Sequence, residues 1–599
     1  MTWPRSGAHR RYRPGVRGTG ALIGLASALL ALGPALRPGY LLFYDMVFVP
    51  GLGFSDRTLG VDGSVPRAVP NDLVVALASH VVPGWVVQKA LLILVFVGVG
   101  AGVGALMGSR LGAAAAAMFA TWNPYLAERL AIGHWGFLLG YACLPFLATA
   151  ASAVRRGEPR GRFRLGLWTV VVALTGSTGA VLGLLLVLAV LTVPVAGTHS
   201  RAQVRRGRET LWVLAIFALA NAAWWFPSIF VGSVGTGDKA GVEAFMARAD
   251  TPWGVFGSLI TGGGIWNRAT WTPGRSSVLI SATMLLVVLV CVGYAAWCRA
   301  WRASAAHAGL SVAGVAGLLI AGAGAIPGGS ALVDVAVEHV PGAGLLRDSQ
   351  KFVALWVVLV AVCAGLGAER LRAIGVAWGV DRGSALAVAG TSALWPLVLL
   401  TGLAWGLGGQ WSAVSYPASF ESMRATISAQ PPGAVAIFPW TLYRRYAFDK
   451  DQVLLDPWQR LSGRNVLVND DLPLSNRVVR GESLDAARIT AALAGSGDVR
   501  AALRSAGVRY ALDQTGQGGD RATMLPALLR TDVVARSGDL VLYDLGSVPP
   551  SGLPQHDPGP WRYLGLAGLV LAPTVVLVDE MRRRRREVTE ESPRSADCG

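Results

Sequence analysis

Long stretches without a single charge decide what this chain can become. Residues 279–297 and 352–368 contain no Asp, Glu, Lys or Arg. Each approaches the ~20 apolar residues that cross a ~30 Å hydrocarbon core. Backbone groups in lipid find no water to bond, so such stretches close their own hydrogen bonds as helices. Only 15% of the chain is charged and 53% is hydrophobic, whereas soluble domains carry about a quarter charged residues. The pattern predicts helices near 19–37, 85–108, 111–123, 135–154, 164–178, 179–197, 210–230, 276–297, 309–326, 351–373, 384–408 and 560–579. The stretches 111–123 and 164–178 are short for a span. The expected fold is an α-helical polytopic membrane protein of about twelve transmembrane helices, give or take about two, with a C-terminal exported α/β domain.

Arginine placement sets the expected topology. Arg5, Arg10, Arg11, Arg13 and Arg17 precede the apolar run 21–36, and no small-x-small cleavage site follows, which predicts an uncleaved first helix. Arg110, then Arg155, Arg156, Arg160, Arg162 and Arg164, then Arg201, Arg205, Arg206 and Arg208 fall in alternate connections. Arg299 and Arg302, Arg370, Arg372 and Arg382, and the tail Arg582 to Arg586 continue the pattern. By the positive-inside rule this predicts a multi-pass protein of the cytoplasmic (inner) membrane with both termini cytoplasmic. The net charge of +17 is thereby a topology signal. No basic face with interleaved aromatics accompanies it, so nucleic acid is not an expected partner. Cys143, Cys291 and Cys363 lie in apolar runs, Cys298 and Cys598 on the cytoplasmic side, and no disulfide framework is implied.

The resulting organisation is a multispanning domain over 1–408, with outer loops at 37–84, 122–135, 231–275 and 327–351. An extracytoplasmic α/β domain follows over 409–558, then a last helix at 559–580 and an Arg-rich cytoplasmic tail at 581–599. Within 409–558, strands are expected at 434–438, 508–512 and 539–543, and helices at 484–494 and 498–506. Trp253, Trp266 and Trp271 in the third loop read as headgroup-level anchors.

Walker, Gly-x-Ser-x-Gly and His-Glu-x-x-His motifs are missing from the sequence, and its seven histidines are scattered, so no metal ligands are assigned. Three charged segments approach the membrane from the outer loops. Asp45 follows the first helix, between Tyr44 and apolar residues that raise a carboxylate's pKa; it reads as a proton acceptor or as a turn-capping aspartate. Asp56 and Asp62 read as turn residues. The connection 123–135 carries Tyr125, Glu128, Arg129 and His134, lining a cleft or forming a structural Glu–Arg pair. Arg347, Asp348, Gln350 and Lys351 sit at the start of a long helix, as an anion site or as residues snorkelling to headgroups. Together they suit one reaction: a sugar on polyprenyl phosphate, its phosphate held by Arg347, Lys351 and Gln350, attacked by an acceptor hydroxyl that gives its proton to Asp45. One displacement inverts the anomeric centre.

At these residues the chain resembles the GT-C superfamily of multispanning glycosyltransferases. Asp45 after helix one, the many helices and the exported C-terminal domain carry the resemblance, and 123–135 and 346–351 look like segments of actinobacterial envelope members. The arabinofuranosyltransferases are nearest in shape. The resemblance implies a polyprenyl-phosphate-linked sugar as donor, an envelope glycan as acceptor, and Trp440, Tyr443 and Trp458 as surfaces that stack on the acceptor or pack in the core. The first loop lacks the acidic pair of several members, so no cofactor is assigned and a divalent cation stays open. The rival reading is a non-catalytic protein or a flippase of lipid-linked precursors, which would bury ionisable groups within its helices; Lys89 is the clearest candidate.

Overall fold

The computed structural model describes residues 14–62, 66, 68–195, 200–230, 239–340, 342–474, 477–517, 529, 531–548 and 563–591. Arg5, Arg10, Arg11 and Arg13, residues 231–238 of the expected third loop, residues 549–562 and Cys598 lie outside the described residues.

The helices that build the membrane part are α1 (Pro14–Leu32), α2 (Asn71–Ser79), α3 (Gly84–Ala105), α4 (Arg110–Thr121), α5 (Pro124–Ala131), α6 (Trp135–Arg156), α7 (Gly161–Ala173), α8 (Ser177–Thr192), α9 (Ser200–Ala220), α10 (Ala222–Phe230), α11 (Val278–Trp297), α12 (Ala305–Gly322), α13 (Val353–Ala377), α14 (Arg382–Ser392) and α15 (Leu564–Glu591). Every apolar stretch expected to cross meets a helix. Among the described residues, however, only seven segments are long and apolar enough to cross, or nine if two bent pairs each count as one span. Helices α4, α7 and α8 have 12, 13 and 16 residues. At 1.5 Å per residue they rise about 18–24 Å, short of a ~30 Å core. The expectation of about twelve crossings therefore exceeds what the described helices support.

Glycine sets the closest packing. Gly20 and Gly24 of α1 lie against Gly100 and Phe96 of α3 so tightly that a Cβ at Gly20 would stand 2.1 Å from the Gly100 carbonyl oxygen. This is the small-residue spacing that lets two membrane helices touch backbone to backbone. The first half of α13 is buried on every side, from Val353 to Gly365, which explains why its sequence is apolar all round.

The C-terminal region forms a five-stranded mixed sheet in the order β4-β1-β7-β9-β8. Its members are β1 (Ala434–Phe438), β4 (Val466–Leu467), β7 (Val508–Gln514), β8 (Val533–Ser537) and β9 (Leu540–Asp544), and two hairpins stand beside it: β2 (Tyr443–Arg445) with β3 (Val453–Leu455), and β5 (Leu472–Leu474) with β6 (Arg477–Val479). β1 runs parallel to β7, with Val435 opposite Tyr510 and Ile437 opposite Leu512. The helices Leu484–Ala491 and Val499–Ser505 agree with the sequence pattern to within a few residues. Trp458 is fully buried and stacks on Phe420 at 5.3 Å between ring centroids, so it is core and offers no stacking surface. Trp440 donates its indole N–H to Thr490.

Candidate functional site

The site forms where helix ends and loops meet. The loop after α1, the α5–α6 connection and the segment entering α13 all lie at one end of the helix bundle. Arginines gather at the other end, where Arg162 at the start of α7 pairs with Asp579 midway along α15.

Asp45 is held from two sides. His134 Nε2 lies 3.2 Å from Asp45 Oδ2, and the Tyr443 hydroxyl donates to Asp45 Oδ1 at 3.1 Å. The carboxylate keeps 36% of its side-chain surface exposed. Its backbone N–H bonds the Ile132 carbonyl at 3.2 Å, so loop and connection lie in direct contact. Gly133 allows this approach. Its φ is +86°, and a Cβ there would stand 2.3 Å from the Met46 nitrogen.

Behind Asp45 runs a chain of ionic hydrogen bonds. Arg129, fully buried, donates from Nη1 to His134 Nδ1 at 3.0 Å. A guanidinium only donates, so Nδ1 is an acceptor and the ring's proton sits on Nε2, facing Asp45. Arg129 also grips Asp348 with two parallel bonds, 2.8 and 3.0 Å, and bonds the Gln350 side-chain oxygen. Gln350 donates its amide to the Gly263 carbonyl at 3.0 Å. Lys351 Nζ lies 3.3 Å from Asp348, and Tyr125 donates to the Lys351 carbonyl at 2.7 Å. The Asn123 side chain caps α5 by accepting from the Leu126 N–H, which sets the face from which Arg129 projects.

The electrostatics follow from this geometry. Burial pushes the Asp45 pKa up, as its apolar flanks suggest, but hydrogen bonds from His134 and Tyr443 and the Lys351 charge outweigh burial. The net shift is downward, which corrects the sequence expectation. Burial beside Lys351 and Arg129 lowers His134 despite Asp45, so the ring is neutral near pH 7. Burial also opposes ionisation of Asp348, yet Arg129 and Lys351 hold its carboxyl well below the usual range.

Glu128 and Arg129 do not pair with each other, and Glu128 does not line the cleft beside Asp45. Its side chain turns to a separate buried cluster. There Arg275 bonds Asp250 at 2.5 and 3.0 Å, and Glu128 accepts from the Ile265 N–H at 3.2 Å. Burial and the neighbouring Asp250 raise the Glu128 pKa strongly, with Arg275 opposing. The Arg347 guanidinium pairs with Glu482 of the C-terminal region at 3.0 Å. Tyr44 bonds β3 through its backbone N–H and carbonyl. Asp62 pairs with Arg57 at 3.7 Å.

The residues around Asp45 do not fit a divalent cation. His134 offers Asp45 an N–H, leaving one carboxylate and no imidazole lone pair directed at a common point. Sequence reasoning missed Asp250 and Arg275, whose partners are distant in sequence. It named Tyr443 without linking it to Asp45, because no sequence pattern joins positions 398 residues apart.

A polytopic helical membrane protein with a polar cluster at one bundle end and a mixed α/β unit packed over it is the class this fold defines. The solved structures of arabinofuranosyltransferase AftD from mycobacteria share that fold. One matches with a TM-score of 0.53 at 14% identity, over 90% of this chain and 40% of that one. Two classes of an arginine-to-serine mutant of AftD match with TM-scores of 0.50 at 16% identity, over 91% and 90% of this chain and 42% of theirs. This chain thus spans about two fifths of the length of those structures. The likeness to these arabinofuranosyltransferase structures is one of fold. No family model and no curated protein matches the sequence significantly.

Proposed function

We propose that the chain is a glycosyltransferase at the outer face of the cytoplasmic membrane, moving a sugar from a polyprenyl-phosphate donor to an envelope glycan or lipid acceptor. In this reading both termini face the cytoplasm and the α/β domain is exported. The observation that carries it is Asp45: an ionised, partly open carboxylate at a bundle end, within reach of the Lys351 charge. The acceptor hydroxyl attacks the anomeric carbon and passes its proton to Asp45, while the bond to the lipid phosphate breaks and the phosphate takes its electrons. Lys351 steadies that leaving charge, and Gln350, Arg129 and Asp348 hold the segment that carries Lys351. A single displacement inverts the anomeric centre. Phosphate leaves readily, so a weakly basic carboxylate suffices as acceptor of the proton. The likeness to the AftD fold supports this class of reaction.

The test is transfer from a polyprenyl-phosphoryl arabinofuranose probe in membranes. Asp45→Asn is expected to lower it at least ~100-fold. Wild-type rates in the variant would remove Asp45 from the chemistry. Absence of transfer together with measurable lipid flipping would favour the flippase reading. One observation speaks for that reading: Lys89, inside the span Gly84–Ala105, has a buried ammonium without a hydrogen-bond partner.

A further inference from the structure

The C-terminal unit reaches Asp45 through a rigid path. The hairpin β2–β3 does not simply lie near the loop after α1. The Tyr44 N–H bonds the Val453 carbonyl at 2.5 Å, and the Leu455 N–H bonds the Tyr44 carbonyl at 2.8 Å. The loop thus adds a short third rung to β3. On the opposite side of the hairpin, Leu455 pairs with Tyr443, whose hydroxyl meets Asp45.

The hairpin is in turn fixed to the sheet. Arg444, the residue after Tyr443, is buried and donates from Nε to Asp456 at 2.7 Å. Asp456 also accepts from Gln514 at the end of β7 at 2.6 Å. Tyr44 shows the effect of this docking on the loop. Its φ is +40°, a conformation that disfavours a side chain and persists where surrounding contacts fix it. The two bonds to β3 supply that constraint at the residue directly before Asp45.

From this juxtaposition we infer that Tyr443 is a positioning residue for Asp45, and that docking of the β2–β3 hairpin completes the site. The C-terminal unit is then part of the reacting centre as well as a surface for acceptor. Tyr443 donates to the ionised carboxylate, so it fixes the direction of the oxygen facing His134 and keeps Asp45 charged. This rests on the reading of Asp45 as the base.

Two measurements on the full chain in membranes or detergent test it. The first is a double-mutant cycle of thermal midpoints for Asp45→Asn and Tyr443→Phe. Coupling is expected, so the double variant loses less than the sum of the single losses; additive losses would overturn the contact itself. The second is the pH profile of transfer from polyprenyl-phosphoryl arabinofuranose. Tyr443→Phe is expected to lower kcat about 10-fold and to move the acidic limb of kcat/KM to higher pH. An unmoved limb, with or without a slower rate, would overturn the positioning role. If Asp45→Asn transfers normally, the base reading has failed. If Asp45→Asn is inactive and Tyr443→Phe behaves as the parent, only the present inference has failed.

Discussion

Arg129 and Asp348 lie 219 positions apart and face each other through two parallel hydrogen bonds of 2.8 and 3.0 Å. The pair joins the α5–α6 connection to the segment entering α13 and, through His134, to Asp45. Fork geometry matters here because the two terminal nitrogens share the acceptors: Nη1 serves His134 and Asp348, and Nη2 serves Asp348 and Gln350. Arg129→Met leaves Asp348 without its main counter-charge and is expected to cost about 3–5 kcal/mol, read as a lowered thermal midpoint. Arg129→Lys keeps the charge but cannot serve Asp348, Gln350 and His134 together. Sugar transfer should therefore fall in Arg129→Lys even where the protein remains folded.

Lys351 and Arg347 are expected to behave differently although they lie only four positions apart in sequence. Lys351 acts on the Asp45 cluster, whereas Arg347 forms a part-exposed pair with Glu482. Arg347→Gln should cost at most about 1 kcal/mol of stability, the range for such pairs, and leave the donor KM within a few-fold. Lys351→Gln should raise the donor KM or lower kcat at least ~10-fold, as loss of a phosphate contact does. Steady-state kinetics against donor concentration decide it; equal effects would place both cations on the phosphate.

Glu128 offers a contrast between a charge and its neutral isostere. Burial and Asp250 raise its pKa strongly, so the neutral isostere Glu128→Gln is expected to shift stability by less than about 1 kcal/mol. Asp250→Asn removes the counter-charge of Arg275, which is 1% exposed, and should cost about 3–5 kcal/mol. Thermal midpoints of the two variants, measured at one pH, test the assignment. A large loss in Glu128→Gln would mean that Glu128 is ionised.

Much of the fold was legible from residue type. Uncharged runs marked the helices, and short apolar runs marked β1, β7 and β9. Span length was less legible, because α4, α7 and α8 are apolar yet too short. Their apolar sequence reflects burial against other helices as much as contact with lipid. The site residues were legible one by one, since charge beside apolar runs is unusual. Their partners were not. Glu128 and Arg129 are adjacent in sequence, but on α5 they project toward different clusters. The direction of the Asp45 shift also depended on His134, Tyr443 and Lys351, none of which a local window contains. Gly133 was readable only in hindsight: its lack of a side chain matters because Met46 presses against it. Gly133→Ala is accordingly expected to lower the thermal midpoint and abolish transfer together, with a cost of a few kcal/mol from strain and overlap (about 1–3).

Asp449 lies in the turn between β2 and β3, so its ionisation bears on the hairpin that carries Tyr443. It is 1% exposed, and neither carboxyl oxygen has a hydrogen-bond partner. Burial raises its pKa to about 7, with Lys450 opposing only weakly. An unfolded chain releases this proton near pH 4, so the folded chain binds more protons between about 4 and 7. The stability contribution of Asp449 is therefore fully present below pH ~4, declines as pH rises, and is lost above ~7, a loss of about 2–4 kcal/mol. Asp449→Asn is neutral throughout and should be more stable than the parent at pH 8 by that margin, and by only about a third of it at pH 5. Thermal midpoints at the two pH values check the sign. Lys450 and Asp451, which follow it, have φ of +54° and +56°, a turn that needs its neighbours to hold it. Relief of the buried charge should consequently tighten the hairpin and raise transfer at alkaline pH relative to the parent. Parent and variant with identical midpoints at pH 8 would show that the Asp449 carboxylate is solvated.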